Sequence, residues 1–248
     1  MKRNIAAIIC ILALAVSFLT ACTVSEAADT SSSTQEKNEA VLSAYIVEKD
    51  KNDLLVTADS GLYFVSIKNA KVQNGSKELG TEKLKAGMSV LIGFNGVVLE
   101  SYPAQIAADS VKILSETDDK ISLYSTALKH LCNDEDFFSG IKTVALDFST
   151  PSLSEPQKTA LCYVLSNYLR SKADVDVIQS SYKELEKDGR IKDGSYKDGI
   201  ILSVEENENN TFSVSWYIGP LGSEGYSGCT AKMRAGEWKI DYGTAWIS

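Results

Sequence analysis

SEPQKTALCYVLSNYLRS, residues 154–171, is the stretch that decides the fold of the second half of this chain. Ser154 and Gln157 match a capping box, in which each of the two side chains bonds the backbone amide of the other residue. Pro156 lies in the first turn, where a helix needs no amide hydrogen. The pattern predicts an amphipathic helix to about Ser171. Its predicted buried stripe is Leu161, Val164, Leu165, Tyr168 and Leu169.

Strands are predicted on both sides of this helix. Residues 141–148 alternate in polarity and predict one strand, and residues 175–178 are predicted to form a second, short strand. The side of the first strand that faces the core is Val144, Leu146 and Phe148. Residues 141–178 are therefore predicted to be a β-α-β unit whose strands can pair in parallel.

A second helix is predicted over residues 116–132, with Thr117 or Ser115 as its cap. Its apolar residues recur at i, i+3, i+7 and i+10, which places them on one helical face. These residues are Ile121, Tyr124, Leu128 and Leu131.

The chain after residue 199 shows the period of two that is typical of β-strands. The predicted inward-facing sets are Ile200, Leu202 and Val204; Phe212, Val214, Trp216 and Ile218; Cys229, Ala231 and Met233; and Trp238, Ile240 and Tyr242. One face of this sheet is expected to cover the 154–171 helix, and the other to meet water or the preceding domain. Residues 116–248 are thus predicted to form an α+β domain, with helices packed on one face of a mainly antiparallel sheet.

The alternation of side chains along each strand also predicts which aromatic residues of this sheet are buried. Trp216 and Trp238 share their faces with apolar residues, so both are predicted to belong to the core. Tyr217, Tyr226 and Trp246 lie off that pattern and are the exposed aromatic candidates.

Residues 40–115 are predicted to be a small all-β domain. Strands are expected at 44–47, 54–57, 62–67, 88–94, 97–99 and 110–114. Asn95-Gly96 is a strong two-residue hairpin signal, and residues 82–86 are expected to make one helical turn that ends at Gly87. Five or six short strands with one helical turn before the fourth fit an OB-like barrel.

Two resemblances accompany this domain organisation. LKAGMSV (84–90), Gly96 and ESYPAQI (100–106) resemble a small OB-like module of bacterial lipoproteins and of the extracellular tails of some membrane regulators. The carboxy-terminal pattern resembles uncharacterised domains of other Gram-positive lipoproteins. Its residues are Trp216, Gly222, Gly228-Cys229, Gly236-Glu237-Trp238 and Ile247-Ser248. Both resemblances imply a fold and no activity.

Leu19-Thr20-Ala21-Cys22 ends an apolar run that starts after Lys2 and Arg3. The run has about 15 residues, short of the roughly 20 that cross a bilayer as a helix, which predicts a signal peptide over 1–21. The four residues resemble the lipobox of bacterial lipoproteins. The resemblance implies lipid attachment at Cys22 and anchoring to the extracytoplasmic face of the cell membrane. The alternative is an ordinary signal peptide cleaved near Ala27-Ala28.

Residues 22–39 are small, polar and acidic, which predicts a disordered tether. The whole chain has 25 Lys and Arg against 33 Asp and Glu, a net charge of −8. Removal of residues 1–21 takes away two basic residues and no acid, which leaves a net charge of about −10. No basic stripe is present, so nucleic acid is not expected as a partner. An anionic bilayer repels this surface, which leaves the lipid on Cys22 as the predicted membrane contact.

Few residues indicate chemistry. His130 is the one histidine of the sequence, so a histidine-rich zinc site is excluded and any Ser-His-Asp triad must use it. It is predicted to lie at the surface beside the apolar stripe. Ser-x-x-Lys occurs at 139–142 and 180–183 without the helix and companion motifs of penicilloyl-type enzymes. The acidic clusters 134–136 and 205–206 lack the ligand spacing of a calcium loop and are predicted to be solvated. No cofactor, metal or catalytic residue is therefore assigned.

The glycine-rich segment 219–228 joins two predicted antiparallel strands, which favours a long hairpin loop over a phosphate-binding loop. Loops on a rigid sheet often carry function, so Gly222, Gly225 and Tyr226 are the candidate ligand-binding residues. Cys132, Cys162 and Cys229 allow at most one disulfide, and three buried thiols are favoured.

Two hypotheses follow from these residues. The first is a non-enzymatic binding or accessory lipoprotein that contacts an envelope protein, a peptide or a glycan. The second is a cell-envelope hydrolase with an unrecognised site around His130. The absence of a convergent nucleophile, base and metal favours the first.

Overall fold

The computed structural model describes residues 39–116, 119–133, 135–234 and 237–248. The predicted signal peptide (1–21), the lipid-attachment residue Cys22 and nearly all of the tether lie outside the described residues. Among the described residues, those from 39 onward belong to one compact unit.

The first half of this unit is a closed barrel with an added hairpin. Its strands are β1 (Ala40–Lys49), β2 (Asp53–Ala58), β3 (Gly61–Ser66), β4 (Lys71–Asn74), β5 (Lys77–Leu79), β6 (Met88–Phe94) and β7 (Ala104–Glu116). The order β3-β2-β1-β6-β7 is antiparallel throughout, and β3 pairs with β7 in parallel to close five strands into a barrel. The β4–β5 hairpin extends the sheet through a parallel β4–β7 pairing.

The barrel confirms most of the predicted strands, and β6 has the predicted bounds. The strand predicted at 97–99 is wrong, and so is the hairpin at Asn95-Gly96. The antiparallel partner of β6 is β7, which begins only at Ala104. Residues 95–103 form a connection in which Val97, Leu99 and Tyr102 are exposed. The helical turn before β6 is a 3₁₀ turn at Thr81–Lys83.

The second half is a curled sheet with three helices. Its elements are α1 (Lys120–Leu131), β8 (Thr143–Asp147), α2 (Glu155–Lys172), β9 (Asp176–Gln179), α3 (Tyr182–Lys187), β10 (Ile191–Lys192), β11 (Ser195–Tyr196), β12 (Gly199–Glu206), β13 (Phe212–Gly219), β14 (Gly222–Arg234), β15 (Glu237–Asp241) and β16 (Thr244–Ile247). The sheet order is β15-β14-β13-β12-β8-β9, and β16 also pairs with β14. β8 is parallel to both of its neighbours, and the other pairs are antiparallel.

The β-α-β prediction is confirmed by the parallel pairing of β8 with β9. The capping box is present: Gln157 N donates to Ser154 Oγ at 3.5 Å, and Ser154 N donates to Gln157 Oε1 at 2.9 Å. The predicted stripe of α2 is buried except for Tyr168, which is half-buried.

Helix α1 begins later than predicted. Asp119 caps it by accepting a hydrogen bond from Ser122 N at 3.1 Å, and the candidate cap Ser115 belongs to β7. The other candidate, Thr117, lies outside the described residues. The four residues predicted to form the apolar face of α1 are all buried.

Helices pack on both faces of the sheet. α1 and α2 cover the face that carries Val144 and Leu202, as predicted. The short helix α3, which was not predicted, covers the opposite face together with β10 and β11. The core on that side consists of Ala145, Leu185, Ile191, Tyr196 and Ile201. The expectation that helices cover one face is therefore correct for α1 and α2 only.

The barrel packs against α2. Val47, Leu55 and Leu62 point out of the barrel and share the core of the helices. Thr57, which has no exposed surface, donates from Oγ1 to the carbonyl of Pro156 at 2.7 Å. Residues before and after the predicted domain boundary near residue 115 thus share one apolar core. Whether the two parts fold separately remains a prediction.

Candidate functional site

A groove opens where α1 ends above the sheet. It lies between the last turn of α1, the 3₁₀ turn Glu135–Phe138 and strands β12 to β14, with a volume of about 540 Å³. We call it the aromatic groove. Its lining residues are His130, Leu131, Phe137, Ser139, Ile141, Ile200, Trp216, Ile218, Glu224 and Tyr226.

The sheet supplies one wall through strand parity. Trp216 of β13 lies directly opposite Glu224 of β14, and Tyr226 lies two residues further along. Opposed residues and residues two apart share one face of a sheet, so the three side chains project together. All three are half-buried, because α1 ends before it covers this part of the sheet.

Helix α1 and the chain's carboxy-terminal region supply a cluster of stacked rings. The exposed His130 stacks on Tyr242 with centroids 4.1 Å apart and an interplanar angle of 23°. Tyr226 contacts both of these rings, at 5.7 Å and 5.1 Å. Burial, together with the charges of Cys229 and Tyr226, raises the pKa of Tyr242 to about 12. The phenol of Tyr242 is therefore neutral at physiological pH.

The 3₁₀ turn places Phe137 over the other end of the groove. Its ring meets Trp216 edge-on, with centroids 6.0 Å apart and an interplanar angle of 86°. Edge-to-face pairs of this kind hold aromatic rings in fixed orientations. The groove therefore presents aromatic surfaces from three separate segments of the chain.

Glu224 is the one carboxylate of the described groove lining, and no lysine or arginine contributes to that lining. Within the described parts of the chain, no hydrogen bond or ion pair involves the Glu224 carboxylate. The groove is thus a half-buried site of negative charge bordered by aromatic rings.

Ser139 and His130 line the same groove, which bears on the hydrolase hypothesis. Across the described residues, no hydrogen bond joins these two side chains. Lys142, the lysine of the Ser-x-x-Lys match, lies 3.6 Å from Asp198 in an exposed ion pair. A Ser-based nucleophile needs a base within about 3 Å, and the described hydrogen bonds provide none for Ser139.

The glycine-rich segment is not the predicted loop. Residues 222–228 belong to β14, and only Pro220-Leu221 turn the chain from β13 into it. Of the three ligand candidates, Tyr226 lines the groove, whereas Gly222 and Gly225 do not. A Cβ on Gly225 would lie 2.7 Å from Cζ2 of Trp246 and 2.5 Å from the Val214 carbonyl oxygen. Gly225 is therefore a packing residue.

The other aromatic predictions are corrected in part. Trp216 and Trp238 are half-buried rather than core residues. Trp238 donates from Nε1 to the Asp119 carbonyl at 3.1 Å. Tyr217 is not exposed: it packs on Tyr182 of α3 and donates to the carbonyl of Gly194 at 2.5 Å. Met233, predicted to face the core, is 45% exposed because β14 extends beyond the helices there.

Glu206 forms a hydrogen-bonded centre instead of the predicted solvated charge. Its carboxylate accepts from Lys120 Nζ at 2.6 Å, Tyr124 OH at 2.5 Å and Ser152 Oγ at 2.8 Å. Burial alone would raise the pKa of Glu206, but these hydrogen bonds outweigh it and lower the pKa to about 2. A neighbouring cavity of about 400 Å³ is bordered by Lys120, Tyr124 and Glu206. Because these groups bond one another, we assign this cluster a structural role.

Cys132, Cys162 and Cys229 are free thiols. Cys132 and Cys229 are buried, and Cys162 is half-buried with Sγ 3.5 Å from Gln179 Oε1. Burial raises the pKa of Cys132 and of Cys162 to about 12. Neither thiol is ionised at neutral pH, so neither is an activated nucleophile.

The part of the chain that the structure describes holds no cluster of three or more potential metal ligands. In residues 39–248, apart from the few positions not described, no helix is long and apolar enough to cross a bilayer.

Comparisons with known proteins give structural neighbours of low similarity. No protein-family model matches the chain, and no curated protein matches it. The chain is similar to the solution structure of residues 21–120 of Bacillus subtilis YobA, with 17% identity and a TM-score of 0.27 over 34% of this chain and 90% of that one. A crystal structure of YobA from Bacillus subtilis strain 168 gives 17% identity and a TM-score of 0.25 over 32% and 99% of the two chains.

Proposed function

We propose that this chain is a lipid-anchored, extracytoplasmic binding lipoprotein whose ligand occupies the aromatic groove. The groove itself carries the binding part of the proposal. It is concave, its walls come from rigid elements, and it combines apolar surface with a few polar groups, as ligand sites do. The partner is an envelope protein, a peptide or a glycan.

The anchoring part of the proposal rests on the sequence around Cys22, which resembles a lipobox. The closed five-stranded barrel that follows is compatible with an OB-like module. The barrel interior is filled by its own apolar side chains, so it has no room for a ligand. In this proposal the barrel supports the domain that carries the groove and separates it from the membrane.

Substitution of the anchor residue tests the first part. Cys22 is the proposed attachment residue for the lipid, and stable anchoring needs two or more acyl chains. We therefore expect Cys22→Ala to abolish labelling by a fatty-acid analogue and to release the protein from the membrane fraction. Metabolic labelling in a bacterial host measures this. Labelled Cys22→Ala protein would contradict the proposal.

Blocking the groove tests the second part. Ser139 is an exposed turn residue at the groove edge, so Ser139→Trp should fill the opening without disturbing the core. We expect partners that co-purify with the full chain to be lost in this variant. Ser76→Trp, at the exposed turn between β4 and β5, is the matched control. Equal recovery of partners with both variants would refute binding through the groove.

A hydrolase is the second candidate, because Ser139 and His130 line one groove. The hydrolase hypothesis predicts that the purified chain hydrolyses ester or peptide substrates. Ser139→Ala and His130→Ala should each abolish that turnover if the serine attacks and the histidine removes its proton. Turnover that survives both substitutions would exclude this mechanism.

A further inference from the structure

We propose that the aromatic groove binds the aminoalkyl side chain of a peptide, of the lysine type. This inference rests on the proposed function and names the chemical class of its ligand. Three features of the groove carry it: the Glu224 carboxylate, the rings around that carboxylate, and the aliphatic remainder of the lining.

The Glu224 carboxylate supplies the charge. It is half-buried, and within the described residues no cation contacts it. A partly desolvated carboxylate gains from a cation that donates hydrogen bonds to it, and such charge-assisted bonds are stronger than neutral ones. The net charge of −8 for the whole chain further favours a cation over an anion.

The rings favour a cation over a neutral donor. Trp216 faces Glu224 across the strand pair, which puts their Cβ atoms about 4.5 to 5.5 Å apart. Tyr226 lies two residues from Glu224 on the same face. A cation within about 6 Å of a ring centre is attracted by the electron-rich face of that ring, most strongly for tryptophan. One ammonium group can therefore contact the carboxylate and an aromatic face together.

The rest of the lining favours a lysine-type stem over an amino sugar. The remaining wall includes Leu131, Ile141, Ile200 and Ile218. Methylene groups pack well against such side chains, as the stems of long cationic residues do elsewhere in proteins. The hydroxyls of a sugar ring would instead lose hydrogen bonds to water and find no partners on these four side chains.

Calorimetric titration of the full chain in detergent micelles tests the inference. The probe is N-acetyl-lysine methylamide. Its neutral analogue is N-acetyl-norleucine methylamide. Glucosamine is included because an amino sugar is the other kind of ligand that carries an ammonium group. We expect the lysine derivative to bind about tenfold or more tightly than either of the others. Equal binding of the norleucine derivative, or tighter binding of glucosamine, would overturn the inference.

Matched variants test the role of the carboxylate. Glu224→Gln keeps the shape of the side chain, and we expect it to weaken lysine binding about tenfold while leaving norleucine binding unchanged. Glu205→Gln is the control, because Glu205 is exposed, lies outside the groove lining and changes the net charge equally. Equal losses with both variants would show a general charge effect and refute a specific site.

The proposed function can fail separately. If the lysine derivative does not bind but Ser139→Trp still removes a co-purified partner, the ligand class is wrong and the groove remains a binding site. If the lysine derivative binds and the partner is unaffected by Ser139→Trp, the inference is supported and the proposed role of the groove in partner capture is not.

Discussion

The barrel and the C-terminal sheet bury their apolar residues in different ways. The barrel closes on itself through the β3–β7 pairing, and its interior residues Val56, Val90 and Ile92 have no exposed surface. The C-terminal sheet stays open, and α1 ends before it covers β13 and β14 completely. The uncovered end holds Trp216 and Tyr226, both half-buried. Closure gives the barrel a filled core, whereas incomplete coverage gives the sheet a groove.

The largest expected effect tests how far the two regions are independent. Leu54 and Leu55 are neighbours that face opposite ways, Leu54 into the barrel and Leu55 into the core shared with α2. We expect either change to alanine to cost about 2 to 5 kcal/mol of unfolding free energy. Leu54→Ala should affect the barrel alone, whereas Leu55→Ala should affect both regions.

Tryptophan fluorescence separates these outcomes, because all three tryptophans lie in the C-terminal region. Denaturant unfolding followed by fluorescence and by circular dichroism gives the two midpoints for each variant. The fragments 40–115 and 116–248 should likewise each unfold cooperatively. If Leu54→Ala lowers the denaturant midpoint measured by fluorescence as much as the midpoint measured by circular dichroism, the two regions unfold as one cooperative unit. The boundary near residue 115 would then be wrong.

The next effect concerns the polar contact that fastens α1 to the sheet. The pKa of Glu206 lies at about 2, below its ordinary value of 4.5. The stabilisation by this carboxylate is therefore complete above pH 4.5 and is lost as the pH falls towards 2. We expect Glu206→Gln to lower the unfolding free energy by roughly 2 to 3 kcal/mol at pH 7 and to flatten its acid dependence.

Urea unfolding between pH 2 and pH 7 measures this dependence. Glu205→Gln is the control, because the neighbouring Glu205 is exposed. It should change stability by less than about 0.5 kcal/mol. If Glu206→Gln retains the acid dependence of the unchanged protein, another group is responsible for it.

A smaller effect is expected at the groove wall. Full burial would make Trp216→Ala cost about 3 to 5 kcal/mol, and half-burial reduces this to about 1 to 3 kcal/mol. Single-tryptophan variants should show stronger quenching by acrylamide for Trp246 than for Trp216, because Trp246 is 37% exposed. The reverse order would mean that the groove face of the sheet is the more open one.

The smallest effect on stability is expected where we infer binding. Glu224→Gln should leave the unfolding free energy within about 0.5 kcal/mol of its original value, because no described group depends on that carboxylate. Thermal unfolding of the full chain measures it. If Glu224→Gln lowers the unfolding free energy as much as Glu206→Gln does, Glu224 is a structural residue. The groove would then depend on its carboxylate for stability, as the core around Glu206 does.

Local signals predicted much of the fold. The capping box at Ser154 and Gln157 fixed the start of α2, and β6 was predicted with its observed bounds, Met88–Phe94. Strand parity correctly indicated which side of β12 faces α2. These features depend on neighbours in sequence, so a single chain is enough to predict them.

Signals that depend on distant partners were misleading. Asn95-Gly96 has the composition of a tight hairpin, but β6 pairs with a strand that starts at Ala104. Gly225 suggested a loop, whereas it is a glycine because Trp246 packs on it. The capping box Ser181/Glu184 could have revealed α3, yet six residues are too few to show a helical period.

The groove itself was only partly predictable. The sequence indicates Tyr226 as a candidate and predicts His130 at the surface beside the apolar stripe of α1. The stacking of His130 on Tyr242 joins residues that are far apart in sequence, and nothing local indicates it. The role of Glu224 depends on its register opposite Trp216, which only the paired strands define.

The corner at Gly243 has a consequence for self-association. Gly243 adopts φ +58°, and a Cβ there would lie 2.4 Å from the Ser227 carbonyl oxygen. The corner lets β15 and β16 pair in succession along the same side of the long strand β14. Short strands β15 and β16 thus cover most of that side, and β15 carries the exposed ion pair of Lys239 with Glu237. Short, charged outer strands discourage the addition of a strand from a second molecule. For a protein concentrated on a membrane surface, as we propose, β15 works against edge-to-edge aggregation along its part of this side.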